Sequence, residues 1–317
     1  METPRKIQLT GRNTYIVSLP HEWIGRRNIS KGDALYFREN SDGTLTVSLK
    51  QPDKAQKSCA ISVSAETREA SMRNIVSAYV GGADRITVRG NGMATVAEEA
   101  RRILSGVEII EENEDEIVLR VLPFDNLDID GVITRIFNVT NSMFALAIKA
   151  YREGTDTFTE LDRKEDDADR LYLLLLRDLC IGGYSGKESV FKAIAAKSME
   201  KVGDHLKDIC GSAGEIAPNE TIAELLGRAA TAYSAAYVMF SKNGLDMSEY
   251  EKAAKEYLAC VQKAEAAIAR KEKNQANMIV LRSLLEKCTK LLRYSNDIME
   301  SGTDLAFANM DEAQGRI

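Results

Sequence analysis

The 317-residue chain is short of several residue types that would otherwise settle its chemistry. It has only two histidines, His21 and His205, which nearly excludes reactions that need several imidazoles. Its five cysteines, Cys59, Cys180, Cys210, Cys260 and Cys288, are widely scattered and form no CxxC pair. That pattern excludes a disulfide framework or a thiolate zinc site and fits reduced, mostly buried thiols. Five prolines and one tryptophan complete the scarce residues. No apolar run approaches the roughly 20 residues needed to cross a bilayer, and the leucine-rich stretch Leu171–Leu176 is far too short. The opening METPRKIQLT has no apolar block of the kind a signal peptide carries, so a cytoplasmic location is expected.

What is present reads as an ordinary soluble protein of two or three domains, 44% apolar and 28% charged. The net charge of −6 is unevenly placed: residues 1–50 hold eight Lys and Arg against five Asp and Glu, while acids predominate beyond. A small basic head on an acidic body implies that only the head would approach a polyanion.

Residues 5–49 alternate apolar and polar side chains in short arms. RKIQLT runs through Gly11-Arg12-Asn13 into TYIVSL. Pro20 ends that strand, and His21–Arg27 is long enough for one or two helical turns. Lys31-Gly32-Asp33 then turns the chain into ALYFRE, and Ser41-Asp42-Gly43 into TLTVSL. About 45 residues with so few apolar side chains cannot bury a sufficient core alone, and dimerisation is the natural remedy. Residues 58–123 read as a small α+β layer: strands near 60–63, 85–88, 107–111 and 117–122, with helices near 66–79 and 95–104. It contains no phosphate-binding loop, because Gly90-Asn91-Gly92 is too short and lacks the lysine.

From residue 125 the chain is helical almost throughout, with segments near 127–153, 155–181, 187–216, 219–243, 247–271 and 274–309. The break at Ala217-Pro218 divides them into two threes. A shift of 93 residues sets Phe144 on Tyr237, Leu146 on Met239 and Asp204 on Asp297, the mark of a duplicated three-helix bundle. The fold expected is therefore multidomain: an N-terminal β domain (1–52), a small α+β domain (58–123), and an all-α body of two tandem three-helix bundles (125–217 and 218–310).

Two helices of the first bundle carry acidic stripes. KEDDADRLY sets Glu165 and Asp169 four residues apart, and KSMEKVGDHLKDI does the same with Glu200, Asp204 and Asp208. Like charges four apart on a helix repel by roughly 0.2–0.5 kcal/mol per pair, so the stripes call for a compensating cation: arginine, lysine or a metal. Lys197, Lys201 and Lys207 can supply part of that charge. Projection of the helix places Glu200 and Asp204 opposite its apolar seam, on the bundle surface. At the positions shifted by 93 stand Leu258, Gln262, Arg293 and Asp297, so the second bundle is expected to hold no equivalent site, or a degenerate one of Asp297, Glu300 and Asp304.

RKIQLTGRNTYIVSLPHEW followed by ISKGDALYF resembles the AbrB/MazE/SpoVT swapped-hairpin DNA-binding domain over residues 4–49. The resemblance implies an intertwined homodimer with a basic face toward a DNA operator. Arg5, Lys6 and Arg12 match that face, with Arg26, Arg27 and Lys31 as additions. The paired stripes, together with RYSNDIMESGTDLA near the C-terminus, resemble the PhoU family of phosphate-uptake regulators over about 125–310. That resemblance implies a non-enzymatic, phosphate-responsive regulator that docks on a transporter ATPase or a sensor protein. It also implies that Glu165, Asp169, Glu200 and Asp204 are metal ligands, with Asp208 as a fifth candidate. The ion would be divalent or trivalent, among Mg, Mn, Fe, Ca and Zn; carboxylate oxygens alone do not choose. Two alternatives stay open. One is a ferritin-like metalloenzyme, although the Glu-x-x-His pairs of such centres are absent here. The other is a helical scaffold whose stripes bind nothing.

Overall fold

The computed structural model describes residues 4–11, 13–39, 45–49, 57–124, 127–182, 184, 186–242 and 244–310. The chain divides into two compact units, Met1–Ala55 and Gln56–Ile317.

The first unit holds two antiparallel hairpins with a short helix between them. β1 (Gln8–Thr10) pairs with β2 (Thr14–Ile16), Leu9 opposite Tyr15. α1 (His21–Arg27) follows Pro20, which pre-sets φ for a helix start, and ends at Asn28 in the left-handed region. β3 (Tyr36–Glu39) pairs with β4 (Leu45–Ser48), Phe37 opposite Val47. The turn at Lys31–Asp33 is closed by Asp33, whose carboxylate accepts from the Ser30 N–H at 2.7 Å. The expected turn at Ser41-Asp42-Gly43 lies outside the described residues, as does Arg12. No described residue of this unit is buried; Ile7, Leu9, Tyr15, Phe37 and Leu45 all lie on the surface.

The second unit opens with an α+β layer. Strands β5 (Ser58–Ser62), β6 (Arg85–Arg89), β7 (Val107–Glu112) and β8 (Glu116–Val121) form one sheet in the order β5-β6-β8-β7. β5 and β6 run parallel, which requires the crossover helix α2 (Arg68–Val80). α3 (Met93–Ile103) covers the same face. Ile75, Tyr79, Ile86, Val88, Ala97 and Leu119 close the core between helices and sheet. The β7–β8 turn is held by Asn113 Oδ1, which accepts from the Asp115 and Glu116 N–H groups at 2.9 Å each.

Six helices follow: α4 (Ile129–Glu153), α5 (Phe158–Ile181), α6 (Gly186–Gly211), α7 (Glu220–Ser241), α8 (Ser248–Lys271) and α9 (Gln275–Ala308). Side-chain caps set three of the starts: Asp128 on the Gly131 N–H, Asn219 on the Ile222 N–H, and Asn274 on the Ala276 and Asn277 N–H groups. α6 stops five residues short of the expected 216 and passes into a 3-10 turn at Ala213–Glu215. By length and composition α4 could cross a membrane, alone among the described helices, but its apolar positions, Ile133, Ile136, Met143, Phe144 and Ala147, are buried in the protein.

The two sets of three helices do not keep separate cores. One apolar cluster runs from Ile129 to Leu305, because α4 packs on α7 and α6 on α9. Across that seam Thr140 Oγ1 meets the Tyr233 hydroxyl at 2.5 Å, and the Ser234 hydroxyl donates to Asn141 Oδ1 at 3.3 Å. Both pairs join residues 93 apart, the spacing of the sequence repeat. Equivalent residues that meet one another are the signature of an isologous, two-fold-like contact. Close approach has a cost in side-chain room: a Cβ on Gly302 of α9 would stand 2.6 Å from the Phe240 Cα of α7.

The layer is fastened to the helical body through α5. Arg177, buried to within a few per cent, donates to the Tyr79 carbonyl at 2.6 Å, the Ala83 carbonyl at 2.8 Å and Asp84 Oδ1 at 3.0 Å. Its guanidinium lies 5.0 Å from the Tyr79 ring centroid, within cation–π range. Arg102 of α3 adds an ion pair to Asp166 of α5 at 2.8 Å.

Candidate metal centre

α5 and α6 are neighbours, and their acidic stripes face each other. Carboxylate oxygens of Glu165, Asp169 and Asp204 lie within 4.8 Å of one another. Asp169 Oδ1 is buried and has no hydrogen-bond partner. A buried acceptor left unsatisfied costs roughly 1–3 kcal/mol, more when ionised, so the arrangement is one that a bound cation would relieve. The donor set is all oxygen, hard and anionic, which fits a hard ion. On both counts the residues present fit the metal that the sequence resemblance implies.

The electrostatics follow from the geometry. Burial first, then the charges of Glu200, Glu165 and Asp204, pushes the Asp169 carboxyl up to about 7. Glu165 is also raised, chiefly by burial, although Lys207 opposes the shift. Lys207 Nζ sits 2.9 Å from Glu165 Oε2 and 2.5 Å from Asp162 Oδ1. Lys201 pairs with Asp204, and Lys197 Nζ lies 2.7 Å from Glu200 Oε2 without forming a directed hydrogen bond to it. Burial would lower the Lys201 ammonium, yet Asp204 and Glu200 outweigh it and hold it protonated well above its ordinary value.

Glu200 corrects the surface placement expected from helix projection. It is buried, because α6 packs against α4, α5 and α9 rather than along one seam, and the face opposite the main seam meets α5. Glu200 lies outside the 4.8 Å set but acts on Asp169 through its charge. Asp208 is exposed and does not join the cluster; there the backbone carbonyl accepts from Lys287 Nζ at 3.2 Å. His205 turns away, with its ring edge-on to Tyr294 at 5.1 Å, Nδ1 3.1 Å from the Lys201 carbonyl oxygen, and a pKa lowered by burial. In the second half, Leu258, Gln262 and Arg293 are exposed, and Asp297 is half-buried beside Ser198. Sequence reasoning missed two members of the site. Asp162 lies three residues before Glu165 on the same stripe and was findable by spacing; Tyr172, whose ring lies 4.8 Å from Lys197 Nζ, gave no signal.

In the N-terminal unit Arg5, Lys6, Arg26, Arg27 and Lys31 are all exposed, Arg26 and Arg27 in the last turn of α1.

Two parts of the chain match known families. Residues 8–55 match the antidote-toxin recognition family MazE, bacterial antitoxin, and residues 133–213 match the PhoU domain. No curated protein and no solved structure matches the chain. The protein thus joins a MazE-type N-terminal domain to a helical body that contains a PhoU domain. All four stripe carboxylates, Glu165, Asp169, Glu200 and Asp204, fall inside the residues matched to the PhoU domain.

Proposed function

We propose that the chain is a phosphate-responsive regulator that controls phosphate uptake, or its transcription, from the cytoplasm. The helical body docks on a phosphate-transporter ATPase or a sensor protein, and the N-terminal unit forms a homodimer that binds a DNA operator. Glu165, Asp169 and Asp204 hold a divalent or trivalent ion, with Glu200 adding charge behind them. Bound there, the ion supplies a cross-link between α5 and α6 and neutralises their acids. The observation that carries this reading is the convergence of three carboxylates from two helices around the unpaired Asp169 Oδ1. The metal-free scaffold draws on the lysine pairs of Glu165 and Asp204, but leaves that oxygen without a partner.

Elemental analysis after purification without chelator tests the centre. The parent is expected to retain about one ion or more per chain, and Asp169→Asn plus Asp204→Asn to lose at least tenfold in affinity. A double variant that loads metal as well as the parent would sink the assignment. For the head, the expectation is DNA binding that weakens steeply with salt and is lost in Arg5→Ala plus Arg26→Ala; salt-insensitive binding, or none, would remove the operator from the reading.

A further inference from the structure

The α+β layer lies between the two stretches matched to families, and the two edges of its sheet are unlike. An edge strand presents unpaired N–H and C=O groups, and proteins blunt such edges with charge, proline or a bulge. β7 has two of these devices: Glu108, Glu111 and Glu112 stand along it, and its register with β8 shifts between Ile109 and Glu111. β5, Ser58-Cys59-Ala60-Ile61-Ser62, has none. A lysine is a common guard of an edge, but the Lys57 ammonium just before β5 is folded onto the Gly81 carbonyl.

The hydrogen bonds to β6 fix which backbone groups of β5 are spare. The Lys57 carbonyl accepts from the Arg85 N–H, and the Val63 N–H donates to the Arg89 carbonyl. Along a parallel strand the direction alternates residue by residue. Cys59 and Ile61 therefore also turn to β6, while Ala60 and Ser62 turn their N–H and C=O groups outward. Both are exposed, and among the described residues no strand pairs with that side. The side chains alternate as well. Cys59 and Ile61 lean on the core of the layer and stay half-buried, whereas Ala60 and the serines leave a flat, uncharged opposite face.

A second copy of the same strand, antiparallel and centred on Ala60, fits that edge. Ala60 then exchanges both of its outward hydrogen bonds with its counterpart, and the ladder continues on either side. Cys59 falls opposite the partner's Ile61 at the closer spacing of about 4.5 Å, so the half-buried side chains cover one another. So short a ladder is far below the roughly 800 Å² per partner of a stable interface, and it would not hold two chains alone. The N-terminal units remedy that. β4 ends at Ser48 and β5 begins at Ser58, so two chains joined at their N-terminal units keep their β5 strands at an effective concentration on the order of millimolar.

We infer that β5 is a contact between two copies of this chain: its outward edge pairs antiparallel with the same edge of a second molecule and merges the two layers into one continuous sheet. This rests on the homodimer reading above and adds to it a second contact, outside the N-terminal unit. Asp84 carries that contact inward. One of its carboxylate oxygens accepts from the Lys57 N–H at 3.0 Å, and the other accepts from Arg177 of α5 at 3.0 Å. Paired layers thus join the two α5 helices, each of which bears Glu165 and Asp169.

Residue-resolved hydrogen exchange of the full chain, read by mass spectrometry with electron-transfer fragmentation, tests the pairing, with light scattering in parallel. In a dimeric parent the Ala60 and Ser62 amides should exchange at least tenfold more slowly than in Tyr15→Glu plus Phe37→Asp, which lacks the head contact. Ala60→Pro removes an N–H that β6 does not use. It should keep the dimer and the slow Cys59 and Ile61 amides, while Ser62 exchange speeds at least tenfold. Under mild oxidant Ala60→Cys should form a disulfide-linked dimer at least tenfold faster than the parent or Ile110→Cys on β7, since paired Cα atoms about 5.5 Å apart lie within disulfide reach. A dimer whose Ala60 and Ser62 amides exchange as fast as those of the head variant, or crosslinking no faster through Ala60→Cys than through Ile110→Cys, overturns the β5 pairing and leaves the head dimer standing. Slow Ala60 and Ser62 amides in a monomeric head variant overturn it too, because the chain's own residues would then cover the edge. A monomeric parent removes both contacts. Should the head variant stay dimeric, or Ala60→Pro loosen Cys59 and Ile61, the crosslinking rates decide.

Discussion

Asp169 offers the sharpest check, because its effect on stability changes sign with metal. An aspartate ionises at 3.8 in the unfolded chain and at about 7 in the folded one. Below about pH 4 both states hold the proton and no penalty exists. As pH rises the unfolded chain ionises first, so stability falls until the folded carboxyl also ionises near pH 7; beyond that the loss stays constant. At 1.36 kcal/mol per pH unit the full span is on the order of 4 kcal/mol. Proton sharing with Glu165, which burial also raises, spreads this over the pair, so about 2 kcal/mol is expected from Asp169 alone. Asp169→Asn removes the buried charge and offers an amide donor to its acidic neighbours. In chelator, urea unfolding followed by helical circular dichroism should therefore show the variant about 2 kcal/mol more stable than the parent at pH 8 and nearly equal at pH 4. With a metal ion at 100 times its Kd the parent gains about 2.7 kcal/mol and the variant much less. A variant less stable than the parent in chelator at pH 8, or a difference that ignores pH, refutes this account of the site.

Three further outcomes are expected. Arg177→Ala leaves the Ala83 carbonyl without its donor, removes one of two from the Tyr79 carbonyl, which keeps the Gly82 N–H, and unpairs Asp84, and should cost about 3 kcal/mol; Arg177→Lys should not rescue it, since one ammonium cannot span three acceptors, and separate rather than coincident unfolding transitions for layer and body would accompany the loss. Gly302→Val drives a side chain into the Phe240 backbone and should cost about 3 kcal/mol in urea unfolding; an unchanged midpoint would mean that α7 and α9 are not held so close. Tyr15→Glu plus Phe37→Asp charges two apolar side chains on the surface of the N-terminal unit and should give monomers by light scattering, whereas a dimer that persists places the contact elsewhere.

Much of this architecture was legible because local signals agreed. The helix starts expected near 127, 219 and 274 stand where Asp128, Asn219 and Asn274 cap α4, α7 and α9. The shift of 93 reappears as physical contact between Thr140 and Tyr233. Glu165 and Asp169, four apart on one helix, lie beside Asp204 of the next. The burial of Glu200 was not legible, because periodicity reports one apolar seam and α6 has three neighbours. Arg177 was equally silent: an arginine inside a leucine-rich stretch reads as a break in the pattern until the carbonyls of residues 79 and 83, nearly a hundred positions earlier, arrive to receive it. Asp208 continued the stripe by spacing, but one more turn of α6 carried it beyond the end of the cluster.

The N-terminal unit, whose described residues include none that is buried, has a consequence for how the whole chain behaves. In the homodimer proposed above, a second molecule supplies the shelter that this unit's own apolar side chains lack, and its folded fraction would depend on how many molecules are nearby. The helical body, with its continuous interior, is under no such constraint. Abundance of the chain itself would then set when the first fifty residues become competent, and dilution would switch them off while leaving the rest intact.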